Sequence, residues 1–328
     1  MKRIKIILIA LSVSFLLAFS YFFVGWTKPA EDISWGVNFS QKHASSLGLD
    51  WQETYLAILD DLGASKIKLG TYWDYIEYDQ GNYDFSNLDF LINEAEKRGA
   101  EVLPVVGLKS IGWPECHIPQ WAKDLSKENQ QKAVLKYIEK VVSRYRDRDI
   151  IKTWIIENEP FFAFGECPWQ DEEFLEKEIA LVRSLDDREI MITESGEIPM
   201  WFKAARHGDI VGTTMYRKVW SNIFNTYTTF PLPPVFYYRK TLLINLFFDK
   251  PVVSVELQAE PWSRNLIYDT ELAEQEKTMN PEQFRKNVNY ARKTGFDQFY
   301  FWGAEWWYWL KKTQNKPEIW EEAKSLIK

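Results

Sequence analysis

The chain has 328 residues, 46% of them hydrophobic and 27% charged, with 15 Gly and 14 Pro, which excludes wholesale disorder and collagen-like repetition. A net charge of −7 lacks the basic excess of a nucleic-acid binder. Two cysteines without a CxxC pair exclude a dense disulfide scaffold and a cysteine-built structural zinc.

In chain order, Lys2, Arg3 and Lys5 precede residues 6–26, a run of 21 without a charge. At 1.5 Å per helical residue such a run spans roughly 30 Å, enough for a bilayer core. The basic stub predicts a cytoplasmic N-terminus and an outward-facing body. Two readings of this segment stand. An uncleaved transmembrane signal-anchor fits the length and the aromatic exit Tyr21, Phe22, Phe23 and Trp26. A cleaved signal peptide uses Ala18-Phe19-Ser20 as its small-residue site, and the protein is then secreted. Residues 1–30 thus form the stub and membrane segment, and residues 31–328 the working domain.

Eight short β-rich runs follow, at residues 34–39, 66–71, 101–106, 152–157, 189–194, 210–215, 252–257 and 298–302, with helical patterns between them. Eight such βα units predict an α/β fold, the (β/α)8 TIM barrel. The helices carry their own punctuation. Asp50 and Glu53 have capping-box spacing ahead of Gly63, Ser126 opens a long periodic helix, and Asn280-Pro281 opens another that Gly295 closes. Residues 224–248 read either as a buried sixth helix with a proline-rich approach, or as a surface resting on the membrane with Arg239 and Lys240 near headgroups.

The outward placement bears on the cysteines. Cys116 lies in Trp113-Pro114-Glu115-Cys116-His117 and Cys167 in Glu166-Cys167-Pro168-Trp169, both just past predicted strands. An oxidising compartment permits a bridge between them; two unpaired thiols are the alternative.

In a barrel of this kind the C-terminal strand ends build the active site. Those ends are rich in acids. The fourth runs into Glu157-Asn158-Glu159-Pro160, the fifth into Glu194-Ser195-Gly196-Glu197, and the seventh into Glu256-Leu257-Gln258-Ala259-Glu260. Buried carboxylates are costly unless paired or used. Glycoside hydrolysis needs two, one protonated and one ionised.

Asn158-Glu159-Pro160 after an apolar strand, with Glu256 ending a later one, resembles clan A of the retaining glycoside hydrolases. The chain has features of family 5 cellulases and family 42 β-galactosidase-like barrels. The likeness covers most of residues 34–310, including Leu69-Gly70-Thr71-Tyr72-Trp73-Asp74-Tyr75-Ile76-Glu77. It implies that Glu159 is the general acid/base, Glu256 the nucleophile, and Asn158 the partner of the hydroxyl beside the anomeric carbon. It implies equally that Tyr216 hydrogen-bonds the nucleophile and that Trp302 is the floor under the reacting sugar. Where the clan usually carries an arginine, this chain has Lys68, which keeps the charge and loses the planar fork.

Further candidates are the substrate-binding residues His43 and His117 in the first- and third-strand loops, Glu194 and Glu197, and Glu260 as a rival to Glu256. Glu157 reads as a supporting residue. Trp73, Trp113, Trp169, Trp262, Trp306 and Trp307 read as sugar-stacking residues or as packing at the rim. With three histidines and no HExxH, GxGxxG or Walker motif, no metal and no cofactor are expected. The expected partners are an oligo- or polysaccharide and, through residues 6–26, the membrane. The function that results is retaining hydrolysis of β-linked glycans. A non-catalytic sugar-binding barrel and a transglycosylase that remodels surface polysaccharide are the alternatives.

Overall fold

The computed structural model describes residues 2–327. Eight parallel strands close a barrel in the order β1-β10-β9-β6-β5-β4-β3-β2. They are β1 (Ser34–Phe39), β2 (Lys66–Gly70), β3 (Glu101–Val106), β4 (Thr153–Ile156), β5 (Glu189–Glu194), β6 (Ile210–Met215), β9 (Val252–Gln258) and β10 (Gln298–Trp302). Each predicted run is a barrel strand, with end residues shifted by at most one at β2, β4 and β9, the usual fraying of strand ends.

The strands are nearly all apolar because both faces are covered. Side chains alternate between two cores. Leu103, Val105, Ile155, Met191, Val253, Val255 and Tyr300 fill the barrel. Val102, Val106, Ile156, Ile192 and Leu257 face the surrounding helices.

Those helices are α2 (Gln41–Ser46), α3 (Trp51–Ala57), α4 (Trp73–Ile76), α5 (Ser86–Lys97), α6 (Lys127–Tyr145), α7 (Glu172–Leu185), α8 (Phe202–His207), α9 (Pro234–Phe248), α10 (Leu272–Gln275), α11 (Pro281–Ala291), α12 (Ala304–Thr313) and α13 (Glu318–Ile327). The expected caps form at Asp50, Ser126 and Asn280, each side chain accepting from backbone N–H groups of the first turn. The reciprocal half of the Asp50 box does not. Glu53 turns away to accept from Tyr308 and Lys312 of α12, where a cation offers more than a backbone amide.

Ahead of the barrel lies α1 (Lys2–Phe23). Its segment Arg3–Phe23 has mean hydropathy 2.4 and is not buried against the rest of the protein, so by length and composition it can cross a membrane. Its end docks on α9: Phe22 and Phe23 lie 5.8 and 5.7 Å from Phe236, and the Arg239 guanidinium lies 5.0 Å from the Tyr21 ring.

Two corrections fall in the stretch after β6. Before α9 the chain makes an antiparallel hairpin, β7 (Lys218–Ser221) with β8 (Thr226–Thr229), where the sequence suggested only loop and helix. Lys240 is not a headgroup ligand. It is fully buried, donating to the Gly196 carbonyl at 2.6 Å over the face of Trp201.

Candidate active site

Past Ile156 the backbone of β4 turns sharply, with Glu157 and Glu159 both left-handed at φ 61° and 48°. Such positions cost about 1–3 kcal/mol each and persist only where the surroundings enforce them. Here they are enforced. The amides of Glu157 and Asn158 donate to Val106 and Lys109 carbonyls at 2.8 Å, and that of Glu159 to Thr193 Oγ1 at 2.7 Å. The Glu157 carboxylate accepts from the amides of Leu108 and Lys109, so it braces the third-strand loop. Lys109 Nζ returns to the Glu159 and Phe162 carbonyls.

Glu256 is aimed by a bulge. Val253 and Val255 point into the barrel, and strict alternation would turn Glu256 outward. The register of β9 slips against both neighbours around Ser254–Glu256, and the extra residue re-aims the side chain into the mouth. There Lys68 Nζ donates to Glu256 Oε1 at 2.8 Å and to Asn158 Oδ1 at 3.0 Å. Tyr216 OH donates to Glu256 Oε2 at 2.9 Å. The other carboxyl, Glu159, accepts from Thr214 Oγ1 at 3.3 Å.

The two glutamates differ in surroundings. Glu256 has a cation and a phenol on its oxygens. Burial, then the charge of Glu256, pushes the Glu159 carboxyl up to about 8. Its protonated form is thus favoured, while Glu256 is paired with a cation. Such a pair of carboxyl groups can give a proton on one side and attack on the other.

Trp302, at the end of β10, is fixed by its indole N–H to Glu260 Oε1 at 2.8 Å. Glu260 Oε2 accepts from His43 Nε2 at 2.8 Å. Burial alone would lower the His43 pKa, but the Glu260 charge and hydrogen bond raise it to about 9. Glu260 is thus tied to Trp302 and His43 rather than to Glu256. Trp262 packs edge-on to Tyr216 at 5.0 Å and continues to Phe164 at 5.6 Å. His117 is buried against Tyr72, its Nδ1 3.1 Å from Lys42 Nζ. Burial and the Lys42 charge lower its pKa to about 3.

Several candidates lie outside this assembly. Trp73 is buried behind the strand ends, edge-on to Trp121 with its N–H on Glu77, and has no face for a sugar. Glu194 leaves β5 on the outer face, where its carboxylate accepts from the Ala204 amide of α8. Trp169, Trp306 and Trp307 are likewise tied by their indole N–H groups to Gln130, Gln275 and the Ala259 carbonyl. Trp113 remains at the rim, half-exposed beside Phe164.

Of the remaining site residues, Glu197 was a candidate from the sequence and Glu115 was not. Glu197 accepts from the Tyr216 amide at 2.8 Å and so sets the tyrosine's position. Glu115 is buried with Oε2 3.3 Å from Asn158 Nδ2. Its neighbour Cys116 is bridged to Cys167, the two Cα atoms 5.2 Å apart.

Residues 66–178 match glycosyl hydrolase family 10. An endo-1,4-β-xylanase 3 from Hypocrea jecorina is 26% identical over 124 residues, 37% of this chain and 34% of the xylanase. The alignment thus reaches about a third of that relative's length. Among solved structures, a GH5_18 protein from Streptomyces cattleya with GlcNAc superposes with TM-score 0.58 at 14% identity, covering 83% of this chain and 71% of the other. An exo-β-1,4-mannosidase from Opitutaceae bacterium strain TAV5 gives TM-score 0.61 at 14% identity, over 94% and 61%. The fold is the (β/α)8 barrel shared with these solved structures. In this barrel Lys68 reaches both Glu256 and Asn158 from the second strand, so one ammonium links strands two, four and nine.

Proposed function

We propose that the protein is a retaining glycosidase or endoglycanase acting on β-linked glycans, with Glu256 as nucleophile and Glu159 as acid/base. The observation that carries this reading is the asymmetry of the pair: Glu256 bonded to Lys68 and Tyr216, Glu159 buried with its protonated form favoured. In the first step Glu256 Oε attacks the anomeric carbon while the Glu159 proton passes to the leaving oxygen. In the second, Glu159 takes a proton from water, which displaces the Glu256 ester. Tyr216, Asn158 and Lys68 orient these groups, and Trp302 and Trp262 offer stacking faces.

The xylanase and the mannosidase differ in sugar but share a β-1,4 linkage. The test is hydrolysis of a panel of aryl β-glycosides and β-linked oligosaccharides, with the product anomer read by proton NMR. Release of the β-anomer first is the expected result; the α-anomer, or no turnover on any sugar, would remove the reading.

A second reading is favoured by the aromatic run Trp262, Phe164, Phe162 and Trp113 leading away from Tyr216. It suits an acceptor sugar, and products longer than the starting oligosaccharide would mark transfer rather than hydrolysis.

We further propose that residues 1–30 anchor a catalytic domain, residues 31–328, outside the cytoplasm. The support is the 2.4 mean hydropathy of Arg3–Phe23 and the disulfide. Digestion of the barrel by protease added to intact cells is expected, and full protection would oppose it.

A further inference from the structure

Five side chains form a continuous wall at the barrel mouth: Tyr216, Glu256, Lys68, Asn158 and Glu115, each hydrogen-bonded to the next at 2.8 to 3.3 Å. The first four have roles in the proposed chemistry. The fifth, a third carboxyl group, does not.

Glu115 is held with unusual care. Its backbone is left-handed at φ 73°, a strained state for a non-glycine residue. Its amide donates to Gly112 O at 2.7 Å and its carbonyl accepts from Ser110 N at 2.8 Å. The next residue is locked by the disulfide to Cys167. The loop carrying Cys167 comes so close that a Cβ on Gly165 would stand 2.6 Å from Glu115 Cβ. Burial raises the Glu115 carboxyl to about 8, the charges of Lys109 and Glu256 acting in opposite senses. Placing a carboxyl here costs both strain and desolvation, and a structural role is not evident: its one side-chain hydrogen bond among the described residues is a 3.3 Å contact to Asn158.

The shape of a pyranose says what the group faces. With the anomeric carbon over Glu256, two ring bonds lead away from it. One goes to the ring oxygen, which bears no substituent. The other goes to a carbon that does, and that substituent needs hydrogen-bond partners. One side of Glu256 is aromatic, with Tyr216 backed by Trp262. The other side is Lys68, Asn158 and Glu115. The substituted carbon belongs on the second side. There Asn158 Oδ1 is taken by Lys68, and Lys68 and Asn158 Nδ2 are donors. The acceptor is Glu115.

We propose that Glu115 is a specificity-determining residue that meets the substituent on the ring carbon next to the reacting one and requires a hydrogen-bond donor there, a hydroxyl or an amine. This rests on the glycosidase reading of the Glu159–Glu256 pair for its geometry.

The test compares kcat/KM for three aryl β-glycosides of the sugar that wild type cleaves best, bearing a hydroxyl, an amine or a hydrogen at that carbon. Wild type, Glu115→Gln and Glu115→Ala are measured alike, so intrinsic differences in substrate reactivity cancel in the ratios. The hydroxyl-over-hydrogen preference is expected to fall at least tenfold in Glu115→Ala, in line with an unmade buried hydrogen bond. Glu115→Gln keeps an acceptor oxygen and is expected to restore part of it. Equal ratios in all three proteins would overturn the proposal and leave the glycosidase reading intact.

Calorimetric binding of methyl β-glucoside and methyl 2-deoxy-β-glucoside, with the galactose pair alongside, serves if nothing is cleaved. A preference lost in Glu115→Ala then upholds the recognition role while the catalytic reading fails. Binding without such a preference, or no binding of any of the four, overturns it.

Discussion

Lys68 Nζ lies 2.8 Å from Glu256 Oε1 at the mouth of the barrel, and the lysine side chain is wholly buried. A buried ion pair is costly to form and more costly to break from one side, about 3–5 kcal/mol when one partner is removed. Lys68→Ala is therefore expected to destabilise the fold by about that amount, and to lower kcat by roughly 10²–10³-fold through loss of an oriented cation at the reacting group. Lys68→Arg retains the charge and is expected to retain more activity than Lys68→Ala. Steady-state kinetics on an aryl β-glycoside check both; equal loss in the two variants would mean that charge is not what Lys68 supplies.

The pH dependence has a definite direction. Glu159 is raised to about 8 by burial and by Glu256, and it must be protonated to assist the leaving group. The kcat/KM profile is expected to fall as pH rises through about 8. Glu159→Gln, assayed on a glycoside whose leaving group needs no proton, should lose that basic limb. A limb unchanged in Glu159→Gln would assign it to another group.

Stability should respond to pH through a different acid pair. Glu178 of α7 is buried facing Glu157, and burial with the Glu157 charge raises its pKa well above the usual carboxylate range. The folded state then holds a proton that the unfolded state has released. Stability falls as pH rises from the ordinary glutamate range towards that raised value. Glu178→Gln is expected to be more stable than wild type at pH 8 and little changed at pH 4.5, as read by urea unfolding. Destabilisation at pH 8 would show that the charged carboxyl is used.

The Cys116–Cys167 bridge closes a separation of 51 residues, and loop entropy alone assigns it about 4 kcal/mol. The Cys116→Ser/Cys167→Ser double variant should unfold at lower urea by an amount of that order. It should also lose some of the Glu115-dependent selectivity, because the loop is then free to relax. An unchanged midpoint would show that the denatured chain gains nothing from release.

The barrel was legible because parallel strands buried on both faces leave short apolar runs, and eight of them alternate with helical stretches. Glu159 and Glu256 could be picked out because each ends such a run. The inward aim of Glu256 could not, since it depends on a bulge shared with two neighbouring strands. Trp73 misled because it follows β2 closely, yet the turn after Gly70 sends it into the outer core. The β7–β8 hairpin has only four residues per strand, too few for alternation to stand out. Glu115 could not be recognised at all. Its place comes from the disulfide, which the sequence allowed, and from a glycine contact reaching from the fourth-strand loop, which no local pattern records.

The most direct measurement is the azide response of Glu256→Ala on an activated aryl β-glycoside. The variant is expected to lose nearly all turnover in buffer. With azide it should regain activity and release an α-glycosyl azide, the small anion filling the space of the missing carboxylate. Wild-type turnover in Glu256→Ala without azide would contradict the assignment of Glu256 as nucleophile.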